Sequence, residues 1–321
     1  MNEHKGNMGS FPRRDIFQKL KKYILHPSAF RHYFLIRFID TRFARILTDK
    51  CFIKLKYSLL LKKKLNLKNP QTYNEKLQWL KLYDRKPEYT IMADKFEVRK
   101  YIADTIGEDY LIPLLGIWDS FDDIDFDKLP AQFALKCTHD SGSVIICHDK
   151  NNFNKEEARK NITKSLKCNY FFHSREWCYK NIKPRIIAEK YLIDESGVEL
   201  KDYKIFCFNG EPKIIKVDFN RFIDHKANFY SIQWEYLPIT SNYPPDKDII
   251  IKKPETLDLM LDLAGKLSSS LPHVRVDFYV IDKKIYFGEL TFFHASGHTR
   301  FAPPEWDAII GSWMKLPQRT G

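Results

Sequence analysis

The sequence predicts an α+β protein of two lobes, or of one lobe with an extension, opened by basic helices. Three observations lead there. The chain has 321 residues, more than the roughly 250–300 at which a single hydrophobic core stops growing. Helical periodicity dominates up to about residue 105, and strand–loop–strand patterns dominate from Phe133 onward. A hairpin pattern between Val274 and Thr291 then closes the core. Hydrophobic residues make up 44% of the chain and aromatic residues 15%, enough to fill a core, so disorder is not expected.

The elements follow in order. Residues 1–10 read as a loose start. Residues 11–68 mix Phe17, Leu20, Tyr23, Ile24 and Leu25 with many Lys and Arg, the composition of basic amphipathic helices. Two readings stand for this arm: a solvated helical segment packed on the body, or a membrane-surface helix facing anionic lipid. Thr72 and Glu75 have capping-box spacing ahead of Leu77, Leu80 and Leu82. A second helix is expected over 94–105, with Lys95 in its opening turn. Residues 111–118 read as a strand, and Asp122 to Asp127 as an acidic turn. Further strands are expected at Phe133–Lys136, Val144–Cys147, Ile186–Ile193, Tyr203–Phe208 and Pro212–Phe219. A helix over 155–168 is capped by Asn154 and Glu157. Residues 221–252 read as irregular. Pro254 opens a helix carrying Leu257, Met260, Leu261, Ala264 and Leu267 at helical spacing.

The formal charge of +12 favours anionic partners: phosphate ligands, acidic sugars, nucleic acid or a membrane face. It is heaviest in the first seventy residues. No nucleic-acid reading motif accompanies it, so nucleic acid is not an expected partner. The six cysteines form no CxxC pair, which argues against zinc and for scattered thiols of a reducing compartment. No secretory signal and no apolar run of spanning length is visible, so a cytoplasmic location is expected.

The chemistry concentrates in three places. In the hairpin, strand alternation puts Arg275 and Asp277 on one face, with Glu289 and Thr291 sharing a face on the return strand. If Asp277 lies opposite Glu289, two like charges meet, at a cost that Mg2+ would relieve, since it takes carboxylate and phosphate oxygens. A three-residue loop, Asp282 to Lys284, is expected to set that register. Solvated carboxylates with Arg275 as counter-ion are the plainer alternative. The second place is Lys136 at the end of an apolar strand, opening the small-residue loop Thr138, His139, Asp140, Ser141, Gly142, Ser143. Such a loop can fold over phosphates or be an ordinary turn; it has no P-loop spacing. The third is Glu189 near the end of the strand Ile187 to Ile193, with Asp202 and Lys204 following.

The order and content of these pieces resemble the ATP-grasp superfamily: an α+β fold in which two lobes grip ATP, here with a basic helical N-terminal extension. The resemblance implies Lys95 and Lys136 as phosphate lysines and Thr138, Ser141, Gly142 and Ser143 as a loop over the phosphates. It implies Glu189, Lys190, Tyr191 and Leu192 as an adenine hinge, and Asp202, or else Glu199, as a ribose contact. Lys204 is a further phosphate candidate. Arg275 looks like the transition-state arginine, with Lys136 beside it in catalysis. Asp277 and Glu289 look like the metal carboxylates, with Thr291 where the superfamily usually has Asn. Segments 72–79, 93–95, 202–210, 275–279 and 288–291 are similar to the TupA-like ATP-grasp family, associated with cell-surface polysaccharide synthesis. That implies a ligase using ATP and Mg2+, joining an amino acid to an acidic sugar or lipid-linked glycan, or extending a peptide. The implied division is 1–68 extension, 69–130 first part of the body, 131–200 small lobe with phosphate loop and hinge, and 201–321 C-terminal lobe with the metal hairpin.

Two rivals remain at this level. A metal-dependent glycosyltransferase would use a DxD pair, and Asp123, Asp125 and Asp127 have that spacing. A non-catalytic module would use the basic arm on a polyanion or membrane. Histidines His139, His173, His294 and His298 lack a metal-binding spacing and read as loop residues, although His294 and Ser296 follow the metal strand closely.

Overall fold

A computed structural model describes residues 27–319 except 195, 196, 198 and 222, with side chains from residue 32. Phe17, Leu20, Tyr23, Ile24 and Leu25, on which the arm's amphipathic reading rests, lie outside the described residues. The chain divides into two compact units at Lys64/Leu65.

The first unit holds helices α1 (Pro27–Ile39) and α2 (Asp49–Leu61), joined by a 3₁₀ turn, Arg42–Ile46. Thr48 caps α2 by accepting from the Cys51 N–H (3.4 Å), and Lys62, left-handed at φ 56°, ends it. Ile39, Ala44, Phe52 and Leu59 form its small core, with Leu35, Leu47 and Leu55 packed against them. No helix among the described residues is long and apolar enough to cross a membrane.

The second unit begins with α3 (Tyr73–Tyr83). The expected capping box is present: the Thr72 hydroxyl accepts from the Glu75 N–H, and the Glu75 carboxylate accepts from the Thr72 N–H. The helix expected over 94–105 begins only at Val98, as α5 (Val98–Thr105), after a separate short helix, α4 (Glu88–Ala93), that the sequence reading did not include. The Asp94 carboxylate accepts the N–H groups of Phe96 and Glu97 (2.8 and 3.2 Å). This local turn competes with the helical ladder, so Lys95 sits between helices instead of opening one.

Four strands make the first sheet: β1 (Leu114–Trp118), β2 (Phe133–Cys137), β3 (Ile145–Cys147) and β4 (Ile186–Lys190), in the order β1-β4-β2-β3. Its apolar face packs on α6 (Lys155–Leu166), which Asn154 caps as expected (3.0 Å to the Glu157 N–H). A short helix, α7 (Phe171–Ser174), follows α6.

The second sheet holds β5 (Asp202–Phe208), β6 (Glu211–Phe219), β7 (Lys226–Ser231), β8 (Tyr236–Leu237), β9 (His273–Ile281) and β10 (Lys284–Thr291). All pairs are antiparallel, in the order β10-β9-β5-β6-β7-β8. Helix α8 (Leu257–Ser268) buries Leu257, Met260, Leu263, Ala264 and Leu267, and α9 (Trp306–Trp313) closes the unit. Strands β7 and β8 fall in the region read as irregular. In β7 Ala227, Asn228, Phe229 and Tyr230 are all buried, so no in–out alternation marks the strand. Its polar Asn228 is satisfied by the Asp246 backbone.

The hairpin turn differs from expectation. Lys284 pairs with Ile281, leaving a two-residue turn, Asp282-Lys283, both left-handed (φ 47° and 64°). A two-residue turn alone would stagger the carboxylates and send one to the far face. A bulge at Gly288 supplies the missing residue, and Asp277 pairs with Glu289 and Arg275 with Thr291 after all. A Cβ at Gly288 would lie 3.1 Å from both the Asp277 carbonyl oxygen and the Tyr279 ring, so the bulge is built on the smallest residue.

Candidate active site

Pairing across the second sheet sorts polar side chains into rows on one face. Glu289, Asp277, Lys204 and Lys216 are successive cross-strand neighbours on β10, β9, β5 and β6. Asp202 and Asp218 face each other one step along, and Thr291 and Arg275 one step the other way. Alternation in otherwise apolar strands therefore concentrates ionised groups where like charges would repel. Paired opposite charges hold them. The Lys204 ammonium meets the carboxylates of Asp202, Asp218 (3.3 Å) and Asp277 (3.2 Å). Lys216 pairs with Asp218 (2.7 Å) and Arg221 with Asp202 (2.6 Å). Arg275 grips both Asp277 oxygens (2.6 Å each) and donates to Glu289 (2.7 Å). Thr291 donates to the same Glu289 oxygen (2.9 Å).

Burial shapes the protonation of this face. It raises Asp277 to about 6, against the pull of Arg275 and Lys204. Burial would also raise Glu289, but Arg275, Lys204 and Lys95 outweigh it and hold the carboxyl at about 2. The same desolvation lowers Lys95 and Lys216. Lys204 is raised, because Asp202 and Asp277 overcome its desolvation. Burial, then Arg275, drives His294 well below the usual histidine range. Arg275 donates to its Nδ1 (2.8 Å), so the neutral ring carries its proton on Nε2.

A cavity of about 500 Å³ lies over these rows, walled on the opposite side by Lys95, Lys136, Ser141 and Gly142. It adjoins a second, more apolar cavity of about 270 Å³, bordered by Lys190, Tyr191, Leu192 and Glu199. Ile112, Lys136, Val144, Glu189, Arg221 and Tyr279 border both. The two thus form one continuous cleft between the sheets. Lys136 donates to Glu189 (2.6 Å), with Arg99 at 3.5 Å from the same carboxylate. Lys95 donates to the Asp140 carbonyl.

Not every expected residue reaches the cleft. Thr138 is fully buried and donates to the Lys183 carbonyl (3.2 Å). Ser143 braces the loop, accepting from the Cys137 N–H (3.0 Å) and donating to Asp140. Ser141 and exposed Gly142, the loop's tip, line the cavity instead. Asp202 belongs to the charged rows of the larger cavity, whereas Glu199 borders the hinge-side one. Asp123, Asp125 and Asp127 are exposed on short 3₁₀ turns away from both cavities. His139 is a buried structural residue, its Nε2 3.1 Å from the Ser165 and Cys168 carbonyls. Burial pushes the Cys137 thiol up to about 11, away from nucleophilic use. Asp218, Arg221, His225 and Tyr243 were not expected in the site. The sequence signal for the first was present: Lys216-Val-Asp218 repeats, on β6, the alternation of Asp202-Tyr-Lys204 on β5.

The donor set suits a hard divalent ion. Among the described residues no three His, Cys, Asp or Glu side chains converge as a cage. Asp277, Glu289 and Thr291 offer oxygen alone, on one face, and leave room for ligands from water or phosphate, as Mg2+ prefers. The guanidinium of Arg275 now provides the positive charge between the two carboxylates.

The sequence model of the family described as TupA-like ATPgrasp matches residues 75–315. The chain belongs to this family. The fold of this TupA-like ATP-grasp protein is correspondingly α+β, with antiparallel sheets flanking the cleft. Among solved structures it is similar to the D-alanine–D-alanine ligase of Bacillus anthracis, at 18% identity and TM-score 0.38, over 63% of this chain and 57% of that one. It is also similar to an L-amino acid ligase of Bacillus licheniformis, at 14% identity and TM-score 0.42, over 70% of this chain and 49% of that one. The TupA-like chain thus spans about half the length of the structures it matches. None of the curated proteins compared with it matches in sequence.

Proposed function

We propose that this TupA-like ATP-grasp protein is an ATP-dependent carboxylate–amine ligase. The observation that carries the reading is the pairing of Asp277 with Glu289 under Arg275, across a cleft from Lys95 and Lys136. Phosphoryl transfer asks a protein chiefly for position and charge, and this cleft supplies both. The smaller, more apolar cavity takes adenine against the backbone of Lys190 to Leu192, with Glu199 the nearer acid for ribose. Ser141 and Gly142 close over the phosphates, and Lys95 and Lys136 neutralise them. Asp277 and Glu289 would hold Mg2+, with Thr291 orienting the latter carboxylate, and the ion would supply charge neutralisation at the transferring phosphate.

The substrate carboxylate oxygen attacks the γ-phosphorus of ATP and the bond to ADP breaks, leaving an acyl phosphate. An amine nitrogen then attacks the acyl carbon, inorganic phosphate departs, and the amine's proton leaves to solvent. Arg275, held beside the two carboxylates at the floor of the cleft, places its positive charge near the charge developing on the phosphoryl oxygens. The finer reading follows the family. The carboxylate and amine come from an amino acid and an acidic sugar or lipid-linked glycan, or from a growing peptide. The setting is cell-surface polysaccharide synthesis on the cytoplasmic side. The glycosyltransferase reading loses its support with the exposed position of Asp123, Asp125 and Asp127. ADP-versus-AMP release across a panel of amino acids and uronic acids tests the proposal. ADP formation dependent on one carboxylate and one amine supports it. Hydrolysis of a nucleotide sugar without ATP use would replace it with the glycosyltransferase.

A further inference from the structure

The charge of this chain is segregated completely. Residues 1–64 hold 16 Lys and Arg against 4 Asp and Glu, while residues 65–321 hold 37 of each sign. The formal excess of +12 therefore sits in the first compact unit alone. That unit also exposes apolar side chains. On the 3₁₀ turn Arg42–Ile46, Phe43 is 74% and Ile46 83% exposed. Residues three apart eclipse in a 3₁₀ turn, so Phe43 and Ile46 form one edge, and exposed Arg42 and Arg45 form the edge beside it. Two large apolar side chains beside two guanidinium groups match a bilayer interface, where acyl chains lie just beneath anionic headgroups. We propose that the first unit seats the protein on an anionic bilayer, with Phe43 and Ile46 inserted and the basic residues against the headgroups. Nucleic acid would use the charge but leave Phe43 and Ile46 without a role. The test is flotation of the full chain with vesicles of phosphatidylcholine alone or with phosphatidylglycerol added, alongside retention on duplex DNA. The expected result is flotation with the anionic vesicles only, weakened by salt and reduced at least about ten-fold in Phe43→Ser/Ile46→Ser. Absence of flotation at low salt, equal flotation with the neutral vesicles, an unaffected double variant, or preference for DNA over anionic vesicles would each overturn it.

A second inference rests on a different observation, and on the ligase reading above. After β10 the chain makes three successive left-handed residues, Ala295, Ser296 and Gly297 (φ 47°, 54° and 65°). His294 and Ala295 line the cleft. One face of α3 clamps this loop. Gln78 donates to the carbonyls of Ser296 and Gly297 (3.0 and 2.7 Å). Lys81, fully buried, donates to the carbonyls of Ser296 and Ser174 (2.8 and 3.0 Å). Gly297 is where a Cβ would come 2.5 Å from the Gln78 amide. The loop in turn fixes His294, which accepts from Arg275 (2.8 Å). The geometry points to Gln78 and Lys81 as positioning residues for Arg275, acting through the loop and His294. Side chains of one helix face that bond carbonyls within a run of three successive left-handed residues are suited to holding that strained loop in one conformation. Lys81→Met and Gln78→Met are to be compared with Leu80→Ala, a destabilising change on the same helix. The expected result is a kcat lower by on the order of 10²-fold in the first two, an unchanged KM for ATP, and near-normal kcat in the control. The imidazole nitrogen resonances of His294, assigned by loss in His294→Gln, should shift in Lys81→Met and Gln78→Met but not in Leu80→Ala. Unshifted resonances, or a kcat that falls only as the control's does, would overturn the clamp. A wild-type protein with no ATP turnover would refute the ligase reading instead, and the resonances would still decide the clamp.

Discussion

Glu289 and Asp277 face each other across the hairpin, yet their surroundings predict opposite responses to removal of charge. The Glu289 side chain is 44% exposed and accepts one hydrogen bond from Arg275 and one from Thr291. Glu289→Gln keeps the shape and leaves Arg275 fully engaged with Asp277; because this side chain reaches solvent, water screens the cations that hold its carboxyl low, so the change should cost only about 1 kcal/mol, the range of an exposed ion pair. For a unit of this size that is a Tm change within about 4 °C. Asp277 is 2% exposed and takes two hydrogen bonds from Arg275, with the Lys204 ammonium 3.2 Å away. Asp277→Asn takes one buried partner from each of two cations, leaving Arg275 with Glu289 and Lys204 with Asp202 and Asp218, a change of about 3 kcal/mol and a Tm lower by roughly 6–12 °C. Both should lose ATP turnover by at least about 10²-fold, since each removes a carboxylate that would hold Mg2+ at the transferring phosphate. Thermal unfolding beside ADP release reads both quantities. Near-normal turnover in Glu289→Gln, or equal destabilisation by the two variants, would refute the view that both carboxylates serve the site while Asp277 alone also holds the fold.

Other consequences can be read from single contacts. Gly288→Ala places a Cβ 3.1 Å from the Asp277 carbonyl oxygen and the Tyr279 ring. It should cost about 1–3 kcal/mol and weaken Mg2+-dependent nucleotide binding in calorimetry; an unchanged affinity would show that the bulge does not set the carboxylates. Lys136→Ala should weaken ATP binding about ten-fold while moving Tm little, because Arg99 remains beside Glu189; the contrary ratio would make Lys136 a structural residue. His273 accepts from Tyr73 and donates to the Cys207 carbonyl (2.9 and 2.8 Å), and its burial lowers it to about 3. A folded value below the unfolded 6.5 gives stability that is complete above 6.5 and lost as pH falls toward 3. Between pH 6.5 and 5 the loss is about 2 kcal/mol. Melting curves should show this slope in the wild type and less of it in His273→Gln.

Much of the site was legible because it lies on strands. Alternation put Arg275 with Asp277 on one face of their strand and Glu289 with Thr291 on one face of theirs, and the same rule explains Lys204 and Asp202; the register that joins the two pairs is a separate matter. Capping chemistry at Thr72 and Asn154 likewise fixed two helix starts. What escaped depends on non-local or competing local interactions. The bulge at Gly288 leaves the pairing of Asp277 and Glu289 intact while changing the turn that produces it, and no residue type announces a bulge unambiguously. Asp94 breaks the helix around Lys95 through its own carboxylate, a choice that propensity does not resolve. Strand β7 is buried on both faces, so its pattern has no alternation to read. Glu199 and Asp202 border different cavities, a separation that their spacing in the sequence does not reveal. The segments 72–79 and 202–210 contributed to the family resemblance, but the reason for Gln78 emerges only when the 294–297 loop is seen lying on α3.

The central claim, that the cleft activates a carboxylate with ATP, has a direct measurement. With hydroxylamine in place of the amine, an acyl phosphate is trapped as a stable hydroxamate. The account predicts hydroxamate and ADP in equal amounts from wild-type protein, Mg-ATP and a carboxylate substrate, with neither formed by Glu289→Gln. AMP and pyrophosphate in place of ADP, or ADP release without any hydroxamate across amino-acid and uronic-acid substrates, would contradict it.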